Sequence, residues 1–255
     1  MRLDVLTLFP EMILQGMGHS IMKRAADKGL YTINVLNFRD YSSDKFGRVD
    51  DAPYGGGAGM VLQAPPLDAA LQALALPAGA RVVYGTPKGR PFTQKMAEEL
   101  AGCDRLVFIC GHYEGVDQRL INKWVTDEVS LGDYVLTGGE LPVLVMLDAV
   151  LRLLPGALGH EESAGEDSFS SGLLEYPHYT RPPVFDGIPV PEILLSGHHA
   201  NIAKWRLSES LLLTARRRPE LYRAWCASPE RTKAERKIIL AVEEALKALS
   251  EAERL

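Results

Sequence analysis

Apolar positions in the first part of the chain fall into two alternating patterns. Short Val/Ile/Leu-rich runs at Leu3–Phe9, Tyr31–Phe38, Arg81–Tyr84, Leu106–Cys110 and Glu128–Leu131 predict strands. Helical spacing at Ser20–Lys28, Leu67–Leu76, Gln94–Ala101, Asp117–Trp124 and Glu140–Leu154 predicts helices between and after them. Such β-α alternation implies an α/β fold: a mostly parallel sheet with helices on both faces. Pro10 is read as ending the first strand, Gly29 as stopping the first helix and Pro155-Gly156 as ending the last. Arg39–Gly59 reads as a long polar, glycine-rich loop. From Pro155 to Gly172 the apolar period disappears among Gly, Ser, Glu and Asp, the composition of a flexible linker. Tyr176 to Pro191 is extended and proline-punctuated. From Asn201 onward the pattern is helical, with Pro219 and Pro229 each suited to the first turn of a new helix. The expected plan is an α/β domain over 1–159, a linker over 160–175 and a small all-helical domain over 176–255.

Composition narrows the setting. The chain has 255 residues, 46% hydrophobic and 24% charged, enough for one large domain or two smaller ones. Its three cysteines form no C-x-x-C pair and give no disulfide framework, which fits a reduced, intracellular location. Asp4 interrupts the N-terminal apolar run, so that run reads as a buried strand rather than a signal peptide. The apolar stretch Leu141–Leu154 contains Asp148 and Arg152 and is too short to span a bilayer, so no membrane partner is expected and the protein is placed in the cytoplasm. A net charge of -5 alone argues against nucleic acid. Its distribution argues otherwise: residues 197–237 carry ten Lys/Arg against four Glu, whereas 160–176 carry five acidic residues and no Lys or Arg. A basic C-terminal part follows a more acidic body.

Two glycine-rich features bear on chemistry. Gly55–Gly59 contains G-x-G-x-G, yet no buried strand precedes it and no helix opens at Met60, so a dinucleotide-binding reading is disfavoured. Either a surface loop with positive φ angles or a loop whose N–H groups meet phosphate or base edges remains. More telling, three strands each run into a turn-rich loop: Tyr84–Gly89, Cys110–Gly115 and Ser130–Glu140. Ligands of parallel α/β sheets bind outside the carboxyl ends of strands. Each loop alone could be an ordinary connection, but the three together favour one pocket.

These motifs resemble the bacterial tRNA (guanine-N1)-methyltransferase family of the trefoil-knotted SPOUT superfamily. The resemblance spans nearly the whole chain. It rests on Leu8–Met12, Val49–Gly57, Gly111–Asp117, Gly132–Glu140, Leu158–Glu161, Glu166–Phe169, Pro177–Pro182 and Leu195–His199. His112 departs from it, standing where some members carry arginine, and its role is open. The resemblance implies a deep trefoil knot toward the end of the α/β domain, an exception among folds. It also implies a homodimer with the active site at the interface, S-adenosylmethionine as methyl donor and tRNA as substrate. The target would be the guanosine immediately 3′ of the anticodon, position 37. The implied cofactor site takes Tyr84, Thr86 and Pro87 from the first loop and Gly111, Tyr113 and Glu114 from the second. The third supplies Leu131, Gly132, Asp133, Tyr134, Val135, Leu136, Gly138, Gly139 and, at the helix start, Pro142.

Guanine N1 is protonated at neutral pH and a poor nucleophile, so methylation there needs a base at N1 and a cation near O6. The resemblance assigns these roles to Asp167 and Arg152. Taken alone, Asp167 could equally be a helix cap or a linker charge, with Glu166 its competitor. Arg152 could serve the helix dipole or pair with Asp148. Glu114 could position substrate, hold a magnesium ion or cap the next helix; magnesium is an expectation of the resemblance, since no metal-ligand spacing occurs. Substrate contacts are assigned to Gly57, Gly59, His178, Arg181, Ser196, His198, Asn201, Lys204 and Arg206, with Arg216–Arg218 as a further basic run. The competing readings are a knotted enzyme acting on ribose 2′-OH or another base, and a nonenzymatic RNA-binding protein that keeps the donor as a ligand.

Overall fold

The computed structural model describes residues 1–158 and 167–252, apart from the side chains of 249, 250 and 252. The motif Leu158–Glu161 beyond its first residue, Glu166 and part of the 160–175 linker lie outside the described residues. The chain forms two compact units, residues 1–161 and 162–255.

The first unit is a five-stranded parallel sheet. In chain order its strands are β1 (Arg2–Thr7), β2 (Thr32–Asn37), β5 (Arg81–Pro91), β6 (Arg105–Ile109) and β7 (Asp127–Ser130), arranged β2-β1-β6-β5-β7. Side chains alternate across it, as a period of two requires. Leu3, Val5, Val83, Leu106 and Phe108 face one layer; Leu6, Val82, Val107 and Ile109 face the other. The first layer is covered by α1 (Pro10–Met17), α2 (Ser20–Asp27), α4 (Gln94–Ala101) and α6 (Glu140–Leu151). The second is covered by α3 (Ala64–Ala73), α5 (Gln118–Trp124) and the 3-10 turn Phe38–Tyr41. Each fully buried Leu or Phe in these layers contributes roughly 1.5–3 kcal/mol. Asp4 is fully buried because Arg105 reaches it from the neighbouring strand, Nε to Oδ2 2.8 Å, and Asn34 from the other side.

Three expectations change. Pro10 does not merely end β1; it sits in the first turn of α1, where a missing N–H costs nothing. Helix α3 likewise begins at Ala64, ahead of the expected Leu67, with Pro65 and Pro66 inside its first turn. The long loop holds a short antiparallel pair, β3 (Asp50–Asp51) with β4 (Val61–Leu62).

In the second unit, a short helix α7 (Glu192–Leu195) precedes α8 (His199–Arg217), and α8, α9 (Pro219–Ala227) and α10 (Lys233–Ala252) pack around Leu173, Leu211, Trp225, Ile239 and Val242. This unit is not all-helical, since β8 (Val184–Phe185) pairs with β9 (Ile188–Pro189) across an Asp186-Gly187 turn. Residues 167–175, whose composition suggests a linker, are built into the unit: Leu173 is buried in its core and Leu174 N–H donates to Thr214 Oγ1 at 2.9 Å. Pro219 opens α9 as expected. Pro229 does not open α10, which starts behind a reciprocal cap: Glu235 N–H to Thr232 Oγ1, 3.2 Å, and Thr232 N–H to Glu235 Oε2, 2.7 Å.

Candidate functional site

The three loops, the first within β5 and the others beyond the carboxyl ends of β6 and β7, converge on one cavity of about 280 Å³. The first loop is a bow in a single strand. β5 pairs with β7 through Gly85, shifts register, and resumes pairing at Arg90. Asp127, at the start of β7, holds both limbs. Arg81 donates to it twice at 2.6 Å and Arg90 Nη2 once at 3.0 Å. Burial alone would raise the Asp127 carboxyl, but Arg81, Thr126 and Arg90 together hold it below its ordinary value.

The second and third loops meet backbone to backbone. Gly139 N–H donates to Gly111 O at 2.8 Å, and a Cβ on Gly139 would lie 2.5 Å from Gly111 N and 2.6 Å from Cys110 Cα. Only glycine permits this approach. Gly89 is equally constrained, since its Cβ would meet Val129 N at 2.3 Å. The Tyr84 ring lies beneath Gly111, and burial raises its phenol above the ordinary value. Tyr113 and Tyr134 stand half-exposed at the cavity.

Of the residues expected at the donor, Tyr84, Thr86, Pro87, Gly111, Tyr113 and Glu114 line this cavity. So do Leu131, Gly132, Tyr134, Val135, Leu136, Gly138, Gly139 and Pro142. Asp133 does not; it is exposed on the third loop. Sequence reasoning missed Lys88 and Glu128, the charged lining residues beside Glu114, and Ile121 and Gln118 on α5. Lys88 lies within the loop Tyr84–Gly89 and Glu128 just ahead of Ser130–Glu140, so both could have been found there; α5 gives no local signal.

Gly57 and Gly59 lie in an exposed loop of positive φ, +125° and +83°. Gly59 packs on the second loop: a Cβ there would meet Glu114 Oε1 at 2.4 Å, and Glu114 N–H donates to Met60 O at 3.0 Å. Arg152 forms the C-cap of α6. Asp167 belongs to the second unit, half-buried, and opens a turn whose Ser170 N–H donates to its carbonyl at 3.2 Å.

A polar, aromatic face occupies the start of α8. His198 is its N-cap, its N–H donating to Ser196 Oγ at 3.2 Å, and Asn201 and Lys204 are exposed on the next turns. The Arg206 guanidinium lies 4.8 Å from the Tyr176 ring centre, and both line a second cavity of about 420 Å³. His178 is paired with Glu175 at 2.7 Å and leans on Tyr176; Arg181 is exposed. Tyr176, Tyr179 and Trp205 were missed, although aromatic residues interleaved with cations are a legible signal.

A family model described as tRNA (Guanine-1)-methyltransferase TrmD matches residues 1–224. The chain belongs to this family. It is 58% identical over 221 residues to a protein of Brevibacillus brevis, covering 87% of this chain and 91% of that one. It is 53% identical over 253 residues to one of Desulforamulus reducens, covering 98% of each, and 54% identical over 241 residues to one of Dehalococcoides mccartyi, covering 94% and 96%. All three relatives are named tRNA (guanine-N(1)-)-methyltransferase. No helix among the described residues is long and apolar enough to cross a membrane, and those residues contain no cluster of three or more His, Cys, Asp or Glu able to hold a metal ion.

Proposed function

We propose that this protein transfers the methyl group of S-adenosylmethionine to N1 of the guanosine immediately 3′ of the anticodon, position 37, in tRNA. The observation that carries the reading is the three-loop cavity, lined by backbone edges and half-exposed tyrosines, in a chain of this family. Glu114 and Glu128 at its wall suit a donor bearing a sulfonium and an ammonium, and Lys88 suits the donor's carboxylate. The donor supplies an electrophilic methyl group. The residues do the rest. Asp167 accepts the proton from guanine N1 as the nitrogen–carbon bond forms, and Arg152 faces the charge that grows on O6. No step is routed through magnesium.

Further parts of the reading follow the same resemblance. The chain threads a trefoil knot through the three loops; contacts that only Gly89 and Gly139 permit support it. A second copy covers the apolar face made by Phe9, Met12 and Leu14 of the α1 region with Leu141 and Val145 of α6, all exposed to 38–52%. That homodimer puts the active site at the subunit interface. The domain after residue 176 carries the tRNA, its cationic α8 face meeting phosphates and its aromatic rings meeting unstacked bases. The target guanine leaves its stack to reach the methyl group. The protein works in the cytoplasm.

The test is incubation with methyl-labelled donor and an unmodified tRNA transcript carrying guanosine 3′ of the anticodon, followed by nucleoside analysis. Label in 1-methylguanosine, absent from a transcript with adenosine at that position, is expected. Label on a ribose 2′-oxygen or another base atom would overturn the reading.

A further inference from the structure

Glu140 is the first residue of α6 and is 1% exposed. A carboxylate at a helix N-terminus is favoured by the dipole, but a buried one needs hydrogen-bond donors. Two side chains supply them. Thr7 Oγ1, at the end of β1, donates to Oε1 at 2.5 Å and accepts from Phe9 N–H at 2.9 Å. His112 Nε2 lies 2.9 Å from Oε1 and 2.8 Å from Oε2, a geometry that puts a hydrogen on Nε2.

His112 therefore joins three strand ends. Its backbone bridges to Gly138, and its ring covers Gly138 so closely that a Cβ there would lie 2.3 Å from His112 Cε1. Beyond the Gly139–Gly111 backbone contact, the outer part of the loop stands in the open, Tyr134 and Val135 being 55% and 82% exposed. Around the imidazole stand the Phe9 ring at 5.2 Å and the Tyr113 ring at 6.2 Å. Cys110 is fully buried nearby, its thiol pushed up by burial and by the Glu140 charge.

We propose that His112 is a positioning residue: by binding Glu140 it pins the third cavity loop to the second and so sets the pocket that receives S-adenosylmethionine. This rests on the cavity reading given above. Without the imidazole, Glu140 keeps one side-chain donor, Thr7, and the space above Gly138 opens, so the loop loses its register.

The experiment compares the full-length parent with His112→Ala, His112→Gln and Thr7→Val. It measures the S-adenosylmethionine dissociation constant by calorimetry, steady-state methylation of tRNA and the unfolding midpoint. His112→Ala is expected to weaken donor binding about tenfold or more, because a buried carboxylate loses one of its two side-chain donors and the ring that covers Gly138 is gone. The KM for the donor should rise in parallel, while kcat at saturating donor changes by less than about threefold, the mark of lost binding rather than lost chemistry. His112→Gln, whose amide nitrogen reaches the position of Nε2, should recover most of the affinity. Thr7→Val should fall between the parent and His112→Ala, and it keeps the test open if the alanine variant fails to fold. Unchanged donor affinity in His112→Ala, or in Thr7→Val if the alanine variant does not fold, would overturn the proposal. So would a fall in kcat with KM unchanged. A parent that binds no donor would instead overturn the cavity reading.

Discussion

The cavity of the first unit and the cationic face of the second are made of opposite materials. Glycine backbone forms much of the cavity wall, and it is fixed from behind by two buried carboxylates and their partners: Asp127 with Arg81 and Arg90 under the first loop, and Glu140 with Thr7 and His112 under the third. The α8 face is made of long side chains, Lys204 exposed and Arg206 resting on Tyr176, over a core with few members. A site for one small molecule gains from being set in advance, since ordering costs reduce affinity. A face for RNA gains from reach and charge, since most of its contacts go to phosphates. The two regions should therefore fail differently when altered.

The largest effect is expected at the proposed base and cation. If Asp167 and Arg152 hold the roles proposed for them, Asp167→Asn and Arg152→Ala should each lower single-turnover methyl transfer by about 10²–10⁴-fold. Donor affinity, measured by calorimetry, should hold. Next, Gly139→Ala should abolish measurable donor binding and destabilise the first unit by about 1–3 kcal/mol, because its Cβ meets backbone that cannot yield. Gly57→Ala, with nothing nearer than Pro53 Cγ at 3.9 Å, should cost only the strain of its positive φ, about 1–3 kcal/mol, and leave donor binding intact. Equal donor affinity in the two alanine variants would contradict the fixed cavity wall.

Smaller effects refine it. Asp127→Asn should destabilise by about 2 kcal/mol at neutral pH through the lost pairing of a buried carboxylate. Asp127 titrates below its ordinary value of 3.8, so the stabilisation is complete above that pH and lost as pH falls further. The gap between parent and variant in urea unfolding should close below pH 3.8 and stay constant above it. The smallest effects belong to single cations: Lys204→Ala or Arg217→Ala should each reduce the slope of log tRNA affinity against log salt by about 0.7–0.9, leaving donor binding untouched.

Local chemistry made the first unit legible. Val82, Val83, Val107 and Phe108 announced strands, and glycines just past strand ends marked the cavity before any geometry was known. What stayed hidden depends on contacts between distant positions. Glu114 beneath Gly59 and His112 against Glu140 are separated by 55 and 28 residues, and no local pattern pairs them. Helix α1 was concealed for another reason: Pro10 both stops a strand and starts a helix, and the second meaning shows only through the apolar spacing of Ile13 and Met17. In the second unit, Leu173 lay within a polar stretch, and a single buried leucine does not reveal that its neighbours are anchored.

Hydrogen exchange with and without S-adenosylmethionine tests the central claim most directly, because the claim assigns the donor to backbone. Binding should slow exchange together in residues 84–88, 111–116 and 131–139 and leave α8 unchanged. Protection confined to residues 171–210, or absent from the three loops while the donor is bound, would contradict it.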